Sequence, residues 1–302
     1  MGTSWSAAMV GTGTVGDPDA VAARIQAALD AVVAEMSTFD PGSALSRFNS
    51  AGAGEWVPLP PGLHEVVRYA LEVAAASGGA YDPTVGPLVN LWGFGPGPRR
   101  DRAPDEAAIA AARARVGWRR LRLASNPPAL LQPGGLYLDL SAVAKGFGVD
   151  QAAAVLEDAG IENYLVEVGG ELRGQGVKPD GQPWWVALDP VADAPELPEL
   201  VIALHGLSVA TSGDGLRYFE DAGRRYCHAI DPRAGYPVAH AAAVTVLHPR
   251  CMCADALSTA LMIMAPDEAF AFAVRNNLAA RFVLRWEQGL EERLTPALNA
   301  LL

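Results

Sequence analysis

Cysteine is scarce in this sequence. Cys227, Cys251 and Cys253 are the only three among 302 residues, and no CxxC pair occurs, so a disulfide framework is excluded. Positive charge is also short. Lys and Arg number 23 against 34 Asp and Glu, giving a net charge of −11 and an isoelectric point near 4.9. Nucleic acid and anionic membrane surfaces need a positive field, which argues against either as the main partner. Small anionic ligands stay open, because a few local donors or a metal can override the overall charge. No apolar run is much longer than about ten residues, half of what a bilayer requires, so no integral membrane segment is expected. A basic start followed by an apolar stretch is missing too. Met1 runs straight into Gly2-Thr3-Ser4-Trp5, which reads as cytoplasmic, or as periplasmic or membrane-anchored if a leader was removed.

What is abundant is apolar character. Half of the residues are hydrophobic and 19% are charged, enough for a sizeable core. Residues 4–10 read as a strand. Asp17 as N-cap and Pro18 in the first turn open a helix, along which Val21, Ile25, Ala28, Leu29, Val32 and Met36 recur at helical spacing. Further helices are expected over 63–77, stopped by Gly78-Gly79, from Asp105 to Gly117, and from Ser141 to Ala159 with Gly160 closing it. Residues 136–140 read as a strand. Later strands fall at 164–168, 184–188, 200–204, 224–230, 242–247 and 281–286, with helices at 254–264 and 267–276. Strict βαβ alternation is lacking, so the fold class is α+β. Residues 93–104 read as an exposed loop and 189–198 as the best linker candidate. Neither forces a division, and 1–302 reads as a single large domain.

Gly11, Gly13 and Gly16 have the GxGxxG spacing of dinucleotide-binding turns. In such turns the helix begins inside the glycine run, so that bare N–H groups meet the pyrophosphate. Here the helix signals come after the third glycine, and a capping carboxylate at Asp17 would repel phosphate. The run is read as a simple strand-to-helix turn.

Four other segments carry more chemistry. Residues 36–49 (MSTFDPGSALSRFN) and 79–95 (GAYDPTVGPLVNLWGFG) are dense in Pro, Gly and aromatics and read as irregular, site-building loops. Phe39 and Tyr81 offer ring faces to a flat ligand, or belong to the core. In the third segment Asp139 lies near a strand end, Ser141 caps the following helix, and Lys145 sits one turn in. A cation there opposes the helix dipole unless an anion is near; otherwise it is a solvated side chain. Gly146 and Gly148 in a first turn each lower helix propensity by roughly 1 kcal/mol, which implies close packing. The segment continues through Glu167-Val168-Gly169-Gly170-Glu171. In the fourth, Asp255 and Thr259 stand one helical turn apart on one face. A carboxylate with a hydroxyl suits a hard cation such as Mg²⁺; alternatively Asp255 caps its own helix. His228 is a catalytic histidine or a structural one on a strand.

In order and spacing these segments resemble the FAD:protein FMN transferases, the ApbE-type flavin transferases, over nearly the whole chain. The resemblance implies an α+β, T-fold-like architecture of mixed sheets with packed helices. It further implies an Mg²⁺-dependent enzyme that splits FAD, attaches FMN to a Ser or Thr of an acceptor flavoprotein and releases AMP. By motif position, Met1, Phe39, Ala80, Tyr81, Asp82, Asp139, Lys145 and Ile230 would contact FAD. Ala142 through its backbone carbonyl, Asp255 and Thr259 would hold the metal, with Ser258 as a fourth contributor. His228 would be the general base, and Asp255 would share in catalysis. Cys253 departs from the Thr frequent in relatives before Ala-Asp-Ala. A hydrolase giving FMN and AMP, or a flavin binder without turnover, are the alternative readings.

Overall fold

The computed structural model describes residues 2–11, 17–188, 191, 197 and 199–302. Met1, Gly13, Gly16 and most of 189–198 therefore lie outside the described residues. Strand β1 (Trp5–Met9) is followed by helix α1 (Pro18–Met36). Its start is the expected one. The Asp17 carboxylate accepts the Asp19 N–H at 3.1 Å, and Pro18 takes a first-turn position where its missing N–H costs nothing. Val21, Ile25, Leu29, Val32 and Met36 form the buried stripe.

Next come α2 (Ala44–Ser50), β2 (Glu55–Pro58), α3 (Pro61–Ala76), α4 (Gly86–Leu91), α5 (Glu106–Arg113), β3 (Arg122–Ser125) and β4 (Pro128–Gln132). The three strands form a small sheet in the order β2-β4-β3. Two stretches expected to be irregular throughout thus contain helix. The serines of the first are the reason: Ser43 Oγ accepts the Ser46 N–H at 2.9 Å and caps α2, so a composition typical of loops is here the start of a helix.

Residues 136–140, expected as a strand, pair with no other strand. Leu136, Leu138 and Leu140 are buried, which produces the alternating pattern. The backbone finds other partners. The Asn49 side-chain amide accepts from Leu138 N–H at 2.7 Å and donates to Leu138 C=O at 3.0 Å, while Asp139 N–H reaches Pro83 C=O at 2.8 Å. Helix α6 (Ala144–Asp158) then starts three residues later than expected. Ser141 does not cap it; Val143 stands at the cap without a side-chain bond.

The remaining elements are β5 (Tyr164–Val168), β6 (Glu171–Gln175), β7 (Trp184–Ala187), β8 (Val201–Leu204), β9 (Leu207–Gly213), β10 (Tyr218–Asp221), β11 (Arg224–Cys227), β12 (Ile230–Asp231), β13 (Tyr236–Pro237), β14 (Ala241–His248), α7 (Cys251–Ile263), α8 (Pro266–Arg275), β15 (Ala279–Trp286), β16 (Gly289–Leu294) and α9 (Pro296–Asn299). The strand expected over 224–230 is broken after Cys227. Seven strands build one antiparallel sheet, ordered β1-β5-β6-β9-β14-β15-β16. Helix α1 packs on α6, α6 on α7, and α7 against β9 and β14. Almost every residue of α7 is buried, including Asp255 and Ser258. A helix apolar on all sides belongs in the centre of a protein, and its few polar groups are placed there against a considerable desolvation cost. The architecture is mixed α+β, as expected. Among the described residues no helix is long and apolar enough to cross a membrane.

Candidate functional site

The site is organised by the crossing of α6 and α7. A Cβ at Gly146 would fall 2.4 Å from the Cys251 carbonyl oxygen and 2.8 Å from Asp255 Cβ. Only glycine allows the helices this close, which meets the expectation of tight packing there. At the crossing Gly146 N–H donates to Asp255 Oδ2 at 2.9 Å. In the first turn of α6 that N–H has no acceptor within its own helix, and the Asp255 carboxylate supplies one. Asp255 lies beyond the first turn of α7. Its carboxylate therefore serves the neighbouring helix, and the self-capping reading falls.

Lys145 emerges beside it. Its side chain is 37% exposed, yet its ammonium forms an ion pair with Glu171 Oε1. Glu171, at the start of β6, is 2% exposed, and its Oε2 has no hydrogen-bond partner among the described residues. Burial raises the Glu171 carboxyl and the Asp255 charge adds to the rise, while the Lys145 ammonium opposes it. Burial also raises Asp255, against the Lys145 cation and the Gly146 N–H. For Lys145, burial works to lower the pKa, but Asp255 and Glu171 outweigh it and the net shift is upward. The ammonium is thus cationic at neutral pH. Two carboxylates offset the unfavourable helix dipole that the sequence implied.

Tyr81 is 3% exposed, and its buried hydroxyl has no partner among the described residues. Desolvation, followed by the Asp255, Asp139 and Asp82 charges, keeps the phenol protonated well beyond its usual range. Asp82 shapes the loop: Oδ1 accepts from Thr84 N–H and Oγ1 at 2.8 and 2.6 Å, and Oδ2 from Trp118 N–H at 3.2 Å. Asp139 accepts the Ser141 N–H at 2.8 Å. Ala80 is fully buried among core residues, so only its backbone is on offer. Ile230 packs with Leu88 and Trp92. Phe39 differs from all of these. It is 61% exposed, and with Asn49 and Tyr137 it lines a cavity of about 330 Å³.

The hydroxyls of Ser258 and Thr259 each lie 2.9 Å from Ser212 Oγ. Ser258 Oγ also donates to the Asp255 carbonyl at 2.9 Å, which leaves Thr259 the freer oxygen. His228 N–H donates to Arg217 C=O at 3.1 Å. Its ring meets Phe94 edge-on at 6.3 Å, and its buried Nδ1 has no partner among the described residues. Burial, then the Arg217 charge, lowers this imidazole to about 4. It is neutral at pH 7 and able to accept a proton. Met1 cannot be placed, since it lies outside the described residues. Sequence reading gave Glu171 and Ser212 no role. For Glu171 the one signal was its place after the Gly169-Gly170 turn. Among the described residues no group of three His, Cys, Asp or Glu side chains is placed to hold a metal; the oxygen donors at the crossing are of mixed kind.

Comparison with known proteins gives this arrangement its context. The family model of the ApbE family matches residues 1–282. The FAD:protein FMN transferase of Haemophilus influenzae is 40% identical over 284 residues, covering 92% of this chain and 82% of that protein. The FAD:protein FMN transferase of Vibrio cholerae is 39% identical over 294 residues, covering 97% and 87%. Among solved structures, the flavin transferase ApbE from Vibrio cholerae superposes with a TM-score of 0.93 at 36% identity, covering 100% of this chain and 96% of that one. The Pseudomonas stutzeri flavinyl transferase ApbE, in its apo form, gives 0.90 at 39% identity, covering 98% and 92%. These relatives and solved structures define an enzyme of the transferase class. Within that class the chain belongs to the ApbE family.

Proposed function

We propose that this protein transfers FMN from FAD to a Ser or Thr hydroxyl of an acceptor flavoprotein, with AMP as leaving group. The observation that carries the proposal is the α6–α7 crossing, where one cation and two buried acidic side chains converge. The acceptor oxygen forms a new P–O bond to the FMN phosphorus. The bond from that phosphorus to the bridging oxygen breaks, and the bridging oxygen leaves on AMP.

The donors at the crossing suit Mg²⁺. The Ala142 carbonyl, the Asp255 carboxylate and the Thr259 hydroxyl are hard oxygen ligands, and Glu171 Oε2 is a buried oxygen without a partner among the described residues. Bound there, the cation would neutralise pyrophosphate charge that a −11 chain cannot otherwise accommodate. Lys145 adds a second positive charge. His228, neutral at working pH, takes the proton of the acceptor hydroxyl through its ring nitrogen. Phe39 offers an open ring face to the flavin. Group transfer of this kind depends mainly on positioning and charge stabilisation. Orientation is worth roughly 7–11 kcal/mol and a general base about 10²–10⁴-fold, so loss of the cation site is the more damaging lesion.

The test is incubation with FAD, Mg²⁺ and a flavoprotein acceptor, followed by intact mass of the acceptor and chromatography of the nucleotides. Acceptor mass should rise by one FMN residue, with one AMP for each modification. Free FMN and AMP beside an unmodified acceptor would make the protein a hydrolase, and intact FAD would refute both activities.

A further inference from the structure

One surface of this acidic protein is basic. Residues 93–104 fold back on themselves, since a Cβ at Gly93 would lie 2.6 Å from Arg100 N. They are pinned at both ends to the β10–β11 hairpin. Arg217 Nη2 donates to Phe94 C=O at 2.8 Å, and Ala103 N–H donates to Asp221 Oδ2 at 2.9 Å. Beneath the loop, Phe94 stacks on Phe219 at 6.0 Å, and Phe219 on Tyr226 at 5.4 Å. Loop and hairpin therefore present one supported face.

That face carries Arg99, Arg100, Arg102, Arg217 and Arg224, all exposed. Among the described residues none of the five has a carboxylate within ion-pairing distance. Of the local acids, Asp221 accepts the Ala103 N–H and Glu220 faces Arg225 at 3.9 Å; Asp101, exposed between Arg100 and Arg102, is outnumbered by the arginines around it. Leu216, 95% exposed, projects from the same turn. Clustered cations left unpaired on a chain of net charge −11 mark a surface complementary to an acidic partner.

The patch is continuous with the reacting centre. Arg217 supplies the carbonyl that holds His228 N–H, and its charge reaches the imidazole. We propose that this face docks the acceptor protein by an acidic segment next to its acceptor hydroxyl. The proposal rests on the transferase reading above and adds to it how the acceptor is chosen.

The experiment uses two fluorescent dodecapeptides with a central Thr, one flanked by Asp and Glu and the other by Lys, and the triple variant Arg99→Glu/Arg100→Glu/Arg102→Glu. None of these arginines belongs to the catalytic machinery, and all three are solvated, so folding and FAD binding should be unchanged. The full-length protein should bind the acidic peptide with an affinity that weakens steeply with salt, and the variant should bind it at least tenfold more weakly. The lysine peptide should not bind. Equal binding of both peptides, or an unchanged affinity in the variant, would overturn the proposal. Binding of anionic phosphatidylglycerol vesicles without discrimination between the peptides would also overturn it and reassign the patch to a membrane surface. FMN transfer to a flavoprotein acceptor is measured alongside. If charge-dependent peptide binding holds but no transfer occurs, docking stands and the transferase reading fails. If transfer proceeds equally well in the variant, docking fails and the transferase reading stands.

Discussion

Asp255→Asn separates catalysis from architecture at the α6–α7 crossing. The substitution keeps the shape and one acceptor oxygen but removes the charge. Two effects on stability oppose each other. Burial raises the Asp255 carboxyl, so keeping it ionised at neutral pH costs stability, and the amide removes that cost. Against this, the bond from Gly146 N–H at 2.9 Å loses its charge assistance, a drop of about 1 kcal/mol, and Lys145 keeps only Glu171. The net change should stay within about 1 kcal/mol, a few degrees in Tm for a chain of this size. Transfer should respond very differently. Loss of the one carboxylate assigned to the Mg²⁺ shell should lower FMN transfer at least about a hundredfold, or ~2.7 kcal/mol of barrier. High Mg²⁺ or Mn²⁺ should restore part of it. Mg²⁺ binding to the native state also has a signature that does not depend on activity. At a hundred times its Kd it should stabilise the wild type by about 2.7 kcal/mol, and the Asn variant should lack that shift. Melting curves with and without Mg²⁺ and FMN transfer, on one preparation of each protein, decide the matter. Near-normal transfer with a lowered Tm would make Asp255 a fastening between two helices and nothing more. Full activity in chelator would refute the metal assignment.

Three further outcomes are expected. Phe39→Ala, at an exposed ring, should weaken FAD binding by about 1 kcal/mol with an unchanged Tm, whereas Tyr81→Ala should cost 3 kcal/mol or more of stability. Tyr81→Phe removes a hydroxyl without a partner among the described residues and should melt no lower than wild type; calorimetry and thermal melts read both, and a destabilised Phe variant would contradict the orphaned hydroxyl. His228 has a folded pKa near 4, below its unfolded value, so the unfolded chain binds the proton more readily between about 6.5 and 4. Stability should therefore fall as pH drops through that window, by roughly 2–3 kcal/mol, and denaturant titrations of His228→Gln should lack this component of the slope. Gly146→Ala forces a methyl against the Cys251 carbonyl and should cost about 1–3 kcal/mol or more; a wild-type Tm would mean that the helices can separate freely.

Local signals served the reading well where local physics decides. Asp17 and Pro18 announce α1 because cap and first turn are set within a few residues. The 136–140 stretch misled for the opposite reason: its three leucines are buried, but the backbone partner is Asn49, nearly ninety positions earlier. The strand β9 is not among the expected strands, because its pairing with β6 and β14 is a property of the whole sheet. Of the candidate site, residue types and the Asp255/Thr259 spacing were visible. The contacts that organise it were not, since Gly146 and Asp255 are 109 positions apart and no periodicity links them. Glu171 was hidden in the same way, because its burial follows from sheet order and its role from a lysine on another element.

The Asn49 clamp on Leu138 gears two parts of the molecule together. One amide stands in for a neighbouring strand at a single residue by holding both of its backbone groups. On one side of that residue is Tyr137, a wall of the cavity that Phe39 borders; on the other is Asp139, whose carboxylate braces the turn leading into α6. The neighbours of Leu138 are tied separately, Asp139 N–H to Pro83 C=O at 2.8 Å and Leu136 to the Gln132 amide, so side chains and loops replace a paired strand along the whole segment. Through one residue, the Asn49 amide thus joins a wall of the aromatic cavity to the turn that leads into α6.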